Sequence, residues 1–254
     1  MAAPVLVGSS TGAVITAATG THQKTGCTAG NIVILQFLVD GTGIPTVGND
    51  GVNVENLAGT DGALQSAFAG SVVRNVGNPV AAGLAVYIGR ALADTITSPL
   101  LSSAADMYVQ WHEFSGVHTG TLLADVLENG TAGVATSAAG TSTSVADVGV
   151  TTLGADRLAL NFVGINDDST GIAAFVGMTG GTWAMPTSFE SATGTDGTIA
   201  LMTATIAAAG TIDGGADTIT SDGWGVIGFA LIPAAAAAYQ PRHGFVNHVD
   251  PGVL

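Results

Sequence analysis

The adjacent pair His112-Glu113 is the strongest candidate in this sequence for acid–base chemistry. It lies in Met107–Phe114, a segment with the pattern of a short β-strand, and neighbouring side chains of a strand point to opposite faces. The two groups therefore cannot act together on one substrate. The helical zinc motif H-E-x-x-H needs its second histidine at Gly116, and His118 comes two positions too late. We interpret His112 and Glu113 as a mixed pair in a core strand.

Other catalytic patterns are absent from the sequence. There is no G-x-S-x-G nucleophile elbow, no phosphate-binding loop ending in Gly-Lys, and no G-x-G-x-x-G between a strand and a helix. Cys27 is the single cysteine, so it cannot form an internal disulfide and is expected to be a small buried thiol. The sequence thus predicts a protein that is not an enzyme, with no catalytic residue and no cofactor.

Two acidic segments are candidate calcium sites. Asn166-Asp167-Asp168 and Asp213–Asp217 offer oxygen ligands, but neither has the D-x-[DN]-x-[DN]-G spacing of an EF-hand loop. Asn and Asp in turns bond to their own backbone, which explains both segments without an ion. The sequence therefore predicts no metal, with calcium as the alternative.

The three tryptophans are candidates for stacking on sugar rings. Trp111 and Trp224 lie inside strand patterns, which favours a place in the core. Trp183 follows Gly180-Gly181 and precedes Pro186, which indicates a nearby loop. Trp183 is therefore the candidate ligand-contact residue.

The composition excludes several classes of protein. The chain has 254 residues, 5 Lys+Arg against 19 Asp+Glu, and a formal charge of −14, which is unsuited to binding nucleic acid. Its apolar content of 47% argues against disorder. The best membrane-span candidate, Trp224–Tyr239, is interrupted by Pro233 and is shorter than the ~20 residues needed. Residues 1–10 lack the basic start of a secretory signal.

The elements that must position these residues are short strands separated by Gly, Asp-Gly and Ser/Thr turns. Ten segments rich in Val, Ile, Leu, Phe and Thr have this pattern: Ala13–Ala18, Asn31–Val39, Ser71–Val76, Leu84–Leu92, Met107–Phe114, Val145–Thr152, Arg157–Ile165, Ile172–Met178, Thr198–Ile206 and Gly225–Ile232. Frequent turns and almost no helical periodicity predict an all-β fold, an antiparallel β-sandwich.

Two of these strands are apolar on both faces, namely Asn31–Val39 and Arg157–Ile165. A two-layer sandwich covers only one face of each strand, so either long loops or a neighbouring subunit must cover the other. Parts of the two strands look alike, Ile34–Leu38 and Ala159–Val163, as two core strands can by chance. We find no fixed-period repeat.

The chain is predicted to form one sandwich domain over residues 1–233. The most linker-like stretch, Ala132–Ser144, is followed at once by a strand pattern, so it does not divide the chain. Residues 234–254 have no strand pattern and are predicted to be a tail that contacts other chains. The proposed assembly contacts are Tyr239, Arg242, His243, Phe245 and His248.

Three stretches carry a resemblance to a known group of proteins. They are Ala29–Leu35, Ala155–Val163 with the acidic turn Asn166-Asp167-Asp168, and Trp224–Pro233. Over roughly residues 1–233 the chain resembles tailed-bacteriophage virion proteins with concanavalin-like or jelly-roll sandwiches. The resemblance implies a non-enzymatic virion protein, with capsid decoration and stabilisation of the head as the first interpretation.

The implied partners are the major capsid protein or other virion proteins, on the exterior of the particle. Only 9% of the residues are charged, and this low content of charged residues favours contacts between copies of the chain. A homo-oligomer is therefore expected, and a trimer is one symmetric solution. The alternative is a head, neck or tail fibre module that binds host glycans. Two further alternatives are a lectin-like domain outside any virus and a glycan lyase or hydrolase, which needs a carboxylate pair that spacing cannot reveal.

Overall fold

The computed structural model of this chain is almost entirely antiparallel β-structure. It describes residues 2–16, 19–40, 46–48, 51–57, 72–77, 82–128, 136–166, 172–191 and 197–235. Two large sheets pack face to face in these residues, which confirms the all-β antiparallel sandwich. No helix in the described ranges is long and apolar enough to cross a membrane.

The N-terminal half of the chain contains twelve described strands. They are β1 (Val5–Ser9), β2 (Ala13–Ile15), β3 (Thr19–Gly20), β4 (Gln23–Lys24), β5 (Ile32–Asp40), β6 (Thr46–Gly48), β7 (Val54–Asn56), β8 (Val72–Gly77), β9 (Ala82–Ala91), β10 (Ile96–Thr97), β11 (Leu100–Ser102) and β12 (Met107–Ser115).

The C-terminal half follows a short helix, α1 (Leu123–Val126). Its described strands are β13 (Leu127–Glu128), β14 (Thr136–Ala146), β15 (Val150–Thr152), β16 (Arg157–Asn166), β17 (Ala184–Ser191), β18 (Gly197–Ile206), β19 (Gly210–Ile212) and β20 (Ala216–Leu231).

Each large sheet is built from one half of the chain. The N-terminal sheet has the order β1/β2–β12–β5–β9–β7/β8, and the C-terminal sheet has the order β13/β14–β20–β16–β18–β17. We number the large-sheet strands of each half by their order along the chain. The first are β1/β2 and β13/β14, the second β5 and β16, the third β7/β8 and β17, the fourth β9 and β18, and the last β12 and β20. In both sheets the spatial order is then first, last, second, fourth, third. The two halves therefore share one topology.

One small sheet in each half repeats the same correspondence. In the N-terminal half, β4 lies between the first and second strands of the large sheet and pairs with β10, which lies between the fourth and last. In the C-terminal half, β15 and β19 occupy the same places and pair with each other. The three-stranded sheet β3–β11–β6 has no counterpart among the described residues of the C-terminal half.

The inner faces of the two large sheets form the central core. Strand β5 packs on β16, β9 on β20, and β12 on β18. The second strands thus meet each other, and each fourth strand meets the last strand of the other half. The two halves of this chain thus contact each other reciprocally, as two identical subunits do at an isologous interface. The core includes Ile34, Tyr108, Phe162 and Phe229, all fully buried.

The outer faces of both sheets are covered by the chain's own connections. On the N-terminal sheet, Leu35 and Trp111 cluster with Cys27, Ile96 and Leu101 from the small sheets and loops. The outer residues of the C-terminal sheet cluster in the same way with residues of 145–150 and 172–183 and with Ile212. Of the two explanations for strands that are apolar on both faces, the structure thus shows long connections covering them.

Two sequence-based strand assignments need correction. The stretch Ile172–Met178 forms no strand and makes one isolated bridge, from Val176 to Ala216, and Val145–Thr152 is divided between β14 and β15.

The linker-like stretch Ala132–Ser144 contributes to a strand, because residues 136–146 form the long strand β14 beside β20. Its small residues admit a large neighbour, since a Cβ on Gly140 would lie 2.9 Å from the Trp224 ring.

The path of the chain between the two large sheets differs from that of a jelly roll. In a jelly roll the chain passes repeatedly between the sheets, whereas here the large-sheet strands change sheet once, between β12 and β13. The jelly-roll and concanavalin-like details are therefore not confirmed.

The tail residues Tyr239, Arg242, His243, Phe245 and His248 lie outside the described residues.

Candidate functional site

The edge strand β1 brings Ser9 directly opposite His112 of β12. Partners in an antiparallel ladder share one face, so both side chains point between the two large sheets. Ser9 Oγ lies 2.9 Å from His112 Nδ1. On the other side of the ring, His112 Nε2 lies 3.3 Å from Gln36 Oε1. A serine, an imidazole and an amide are thus hydrogen-bonded in a row across three strands.

The row continues across the core to the second sheet. The Gln36 side-chain amide donates to the backbone carbonyl of Val163 at 2.7 Å and to that of Ala200 at 3.3 Å. Since this nitrogen donates, Oε1 faces His112 and accepts the Nε2–H proton. Nδ1 of the neutral ring is then the acceptor for the Ser9 hydroxyl. Gln36 therefore fixes the orientation of His112 and joins the two sheets.

His112 is a neutral imidazole in the folded protein. Its ring is fully buried and packs beside the Phe162 ring, with 5.7 Å between ring centres. Burial, together with the positive charge of Lys24, lowers the pKa of His112 from 6.5 to about 3. A base this weak, in a site that disfavours its charged form, is unsuited to accepting the Ser9 proton at neutral pH.

A second serine–histidine pair lies next to the first. Ser10 Oγ is 2.9 Å from Nε2 of His22, and it accepts the backbone N–H of Trp111 at 3.0 Å. The His22 ring also makes a hydrogen bond with the Thr11 backbone, and this bond raises the pKa of His22. Burial outweighs it, so the net pKa of His22 is lowered from 6.5. The ring is therefore neutral at pH 7.

A pocket of about 330 Å³ opens beside these two pairs. It is lined by residues 9–11 and 22–25, so hydroxyl, imidazole, amide and ammonium groups form its wall. The backbone of His22 is fixed by two neighbours: its N–H donates to Ser98 Oγ, and its carbonyl accepts Nε1–H of Trp111. The pocket therefore has a polar lining on an anchored segment.

Glu113 lies on the opposite face of β12, as the sequence predicted. Its carboxylate accepts hydrogen bonds from Lys24 Nζ at 3.0 Å, from the Thr28 backbone at 2.8 Å and from Asn31 Nδ2 at 2.8 Å. Burial alone would raise the pKa of Glu113, but these three bonds hold it below its ordinary value. Glu113 thus ties the loop that follows β4 to the outer face of the sheet.

Trp183 lies outside any strand, as expected, but it is not exposed. Its side chain is 2% exposed and belongs to the outer cluster of the C-terminal sheet. Its indole N–H donates to Asp147 Oδ2 at 2.9 Å. Neighbouring segments pack against the Trp183 ring and cover it. A sugar ring therefore cannot stack on it in this conformation.

The acidic segment Asp213–Asp217 is held by hydrogen bonds within the protein. Asp217 accepts the backbone N–H of Ala173, and the Gly214 N–H donates to Asp147. No group of three or more His, Cys, Asp or Glu side chains suited to a metal ion occurs in the part of the chain that the structure describes. Asp167 and Asp168 lie outside the described residues.

Comparisons with known proteins add no relative. No family model, no curated protein and no solved structure matches this chain.

The sequence did not reveal the two serine–histidine pairs. His22 is 12 residues from Ser10, and His112 is 103 residues from Ser9, so no short motif contains either pair. The available signal was the short apolar run Val5-Leu6-Val7, which is compatible with a strand that ends near Ser9.

His112 is expected to make the protein less stable in acid. Between pH 6.5 and about 3 the unfolded chain binds a proton at His112 that the folded chain does not, so the free energy of unfolding falls as the pH is lowered. In His112→Gln this contribution is removed, and the acid-side slope should become shallower. Urea unfolding at a series of pH values measures both slopes. The two slopes should agree above pH 6.5, and equal slopes below it would contradict the assignment.

Proposed function

We propose that the main role of this chain is structural, as a bacteriophage virion protein that decorates the outside of the capsid and stabilises the head. The proposal is supported by the resemblance of Ala29–Leu35, Ala155–Val163 and Trp224–Pro233 to virion proteins of tailed phages. A Gly-rich, weakly charged sandwich with both sheets covered by its own connections suits a stable protein used in many copies.

The observation that carries the proposal is the use of positive charge inside the protein. Among the side chains that the structure describes, each Lys and Arg bonds to internal partners: Lys24 to Glu113, Arg157 to Glu128, and Arg90 to the backbone carbonyls of Gly30, His118 and Gly120. These cations are therefore committed to holding loops and strands together.

The chain has an excess of negative charge, with 19 Asp+Glu against 5 Lys+Arg. A protein of net charge −14 is repelled by a packaged genome, which is itself a dense polyanion. This favours the outside of the shell over its interior. The proposed partner is the major capsid protein, or another virion protein with a neutral or basic surface, bound by a homo-oligomer of this chain.

A fibre or receptor-binding module is the second candidate. The observation that favours it is the pocket of about 330 Å³ beside Ser10 and His22, whose hydroxyl, amide and imidazole lining suits a polyhydroxylated ligand such as a glycan.

Quantitative mass spectrometry of purified particles, combined with deletion of the gene, distinguishes the two candidates. A decoration protein is expected in a copy number comparable with that of the coat subunit, and particles without it should rupture at lower temperature. Few copies per particle, together with loss of host adsorption on deletion, would support the fibre module instead. Absence of the chain from purified particles would overturn both.

The tail residues Tyr239, Arg242, His243, Phe245 and His248 are proposed as contacts to the particle. Removal of 239–254 is expected to lower occupancy on particles while the sandwich stays folded, because the described strands end at Leu231. Wild-type occupancy of the shortened chain would contradict this assignment.

A further inference from the structure

We propose that Ser10 is a nucleophile that takes the acyl group of a small polar ester, with His22 as its general base. Neither the resemblance to virion proteins nor the proposed structural role implies this activity. It would replace the sequence-based expectation that the chain carries no catalytic residue.

Two hydrogen bonds surround the Ser10 hydroxyl: Oγ accepts the Trp111 N–H and lies 2.9 Å from His22 Nε2. We assign the neutral His22 tautomer with its proton on Nδ1, in which Nε2 accepts the Ser10 proton. The Trp111 bond also favours negative charge on Oγ, since a donor stabilises the charged form of its acceptor. A serine nucleophile and a histidine base within hydrogen-bond distance of it are two of the parts that covalent catalysis uses.

The adjacent pair shows why Ser10 is favoured over Ser9. His112 is fully buried in the core, and a proton taken from Ser9 would create an imidazolium there. His22 is only partly buried, at the wall of an open pocket, so solvent can stabilise its charged form. Lys24 is the charged residue of the same wall, and its charge is balanced by Glu113.

The pocket limits the substrate. At about 330 Å³ it is at the small end of ligand sites, and its wall consists of polar side chains. A short acyl group on a polar alcohol fits this description.

The reaction balances without a cofactor. Ser10 Oγ forms a bond to the ester carbonyl carbon, and its proton moves to His22 Nε2. The bond between that carbon and the alcohol oxygen then breaks, and the alcohol leaves with the proton. Water next attacks the acyl-serine with His22 again as base, which releases the carboxylic acid and restores Ser10.

A fluorophosphonate probe on the full-length chain tests the proposal. The probe phosphorus bonds to Oγ and fluoride leaves, so peptide mass spectrometry identifies the modified residue. We expect modification of Ser10 but not of Ser9, no modification at this site in Ser10→Ala, and a rate lower by roughly 10²-fold or more in His22→Gln. His22→Gln leaves the backbone bonds to Ser98 and Trp111 in place. Ser188→Ala and His118→Gln, outside the pocket, are the matched controls and should react like the wild type.

A pH profile of the wild type keeps the test decisive even if Ser10→Ala does not fold. The labelling rate should stay level from about pH 7 to 9, because His22 is already neutral, and should fall below pH 6.5 as the ring is protonated. Hydrolysis of p-nitrophenyl acetate should follow the same profile. An unlabelled Ser10, an unchanged rate in His22→Gln, or a rate that keeps rising with pH would each overturn the proposal.

Discussion

Replacing Glu113 with alanine is expected to lower the free energy of unfolding by about 3–5 kcal/mol, because it leaves the Lys24 ammonium buried without its counter-charge. The change also removes the acceptor for the Thr28 N–H and for the Asn31 amide. The loop between β4 and β5 would lose these bonds to the outer face of the N-terminal sheet and keep its backbone bonds to Ala91 and Asp94. Urea unfolding followed by circular dichroism measures the loss.

Glu55→Ala is the matched control for Glu113→Ala. Glu55 also pairs with a cation, at 3.7 Å from Arg90 Nε, but its side chain is 40% exposed. An exposed pair of this kind contributes less than about 1 kcal/mol. If the two variants lose the same stability, burial does not determine the contribution of Glu113, and our account of this ion pair is wrong.

Phe162→Ala is expected to lower the free energy of unfolding by about 3–5 kcal/mol through loss of apolar burial and creation of a cavity. The Phe162 ring is fully buried at the centre of the sandwich, 5.5 Å from the Phe229 ring and 5.7 Å from His112 between ring centres. The variant therefore removes contacts that both large sheets share.

Phe189→Ala provides the comparison for the central cavity. Phe189 is half-buried on the edge strand β17, where its ring lies against Gly12 of the other half. A Cβ on Gly12 would lie 2.0 Å from the Phe189 ring, so the contact is close. We expect a clearly smaller loss of stability, since solvent can fill the vacated space. Equal losses in a denaturation series would contradict the placement of the core between β5 and β16.

The central strands could be predicted from the sequence because their patterns are continuous. Residues 31–39 and 157–165 are apolar on both faces, and the structure places β5 and β16 there with a shift of one residue at most at either end. The edge strands could not be predicted in this way. In β17, Pro186 and the polar residues of the sequence AMPTSFES weaken the strand signal, and in β14 small polar residues resemble a linker.

The repeated topology also could not be inferred from the local match between the two central strands. That match aligns Gln36 with Asn161, but Gln36 points between the sheets, whereas Asn161 bonds to Val148 on the outer side. A shift of one residue in a strand reverses the face of every side chain, so aligned residues need not be equivalent. The correspondence is visible only in the order of strand pairing.

The candidate site could be predicted only in part, because it depends on long-range register. The sequence correctly placed His112 and Glu113 on opposite faces of one strand. Their partners Ser9 and Lys24 come from β1 and β4, whose pairings are not encoded in any local motif. The burial of Trp183 could not be predicted for a similar reason, since its indole N–H donates to Asp147, 36 residues away in the sequence.

The large sheets are joined by one short passage, residues 116–126, between β12 and β13. A proteolytic nick between Gly120 and Thr121 would leave every described strand of both sheets uncut. The two fragments would still present complementary apolar surfaces to each other and would be expected to stay associated as a heterodimer. The same passage is therefore a natural opening point for a split-protein reporter assembled from two separately expressed pieces.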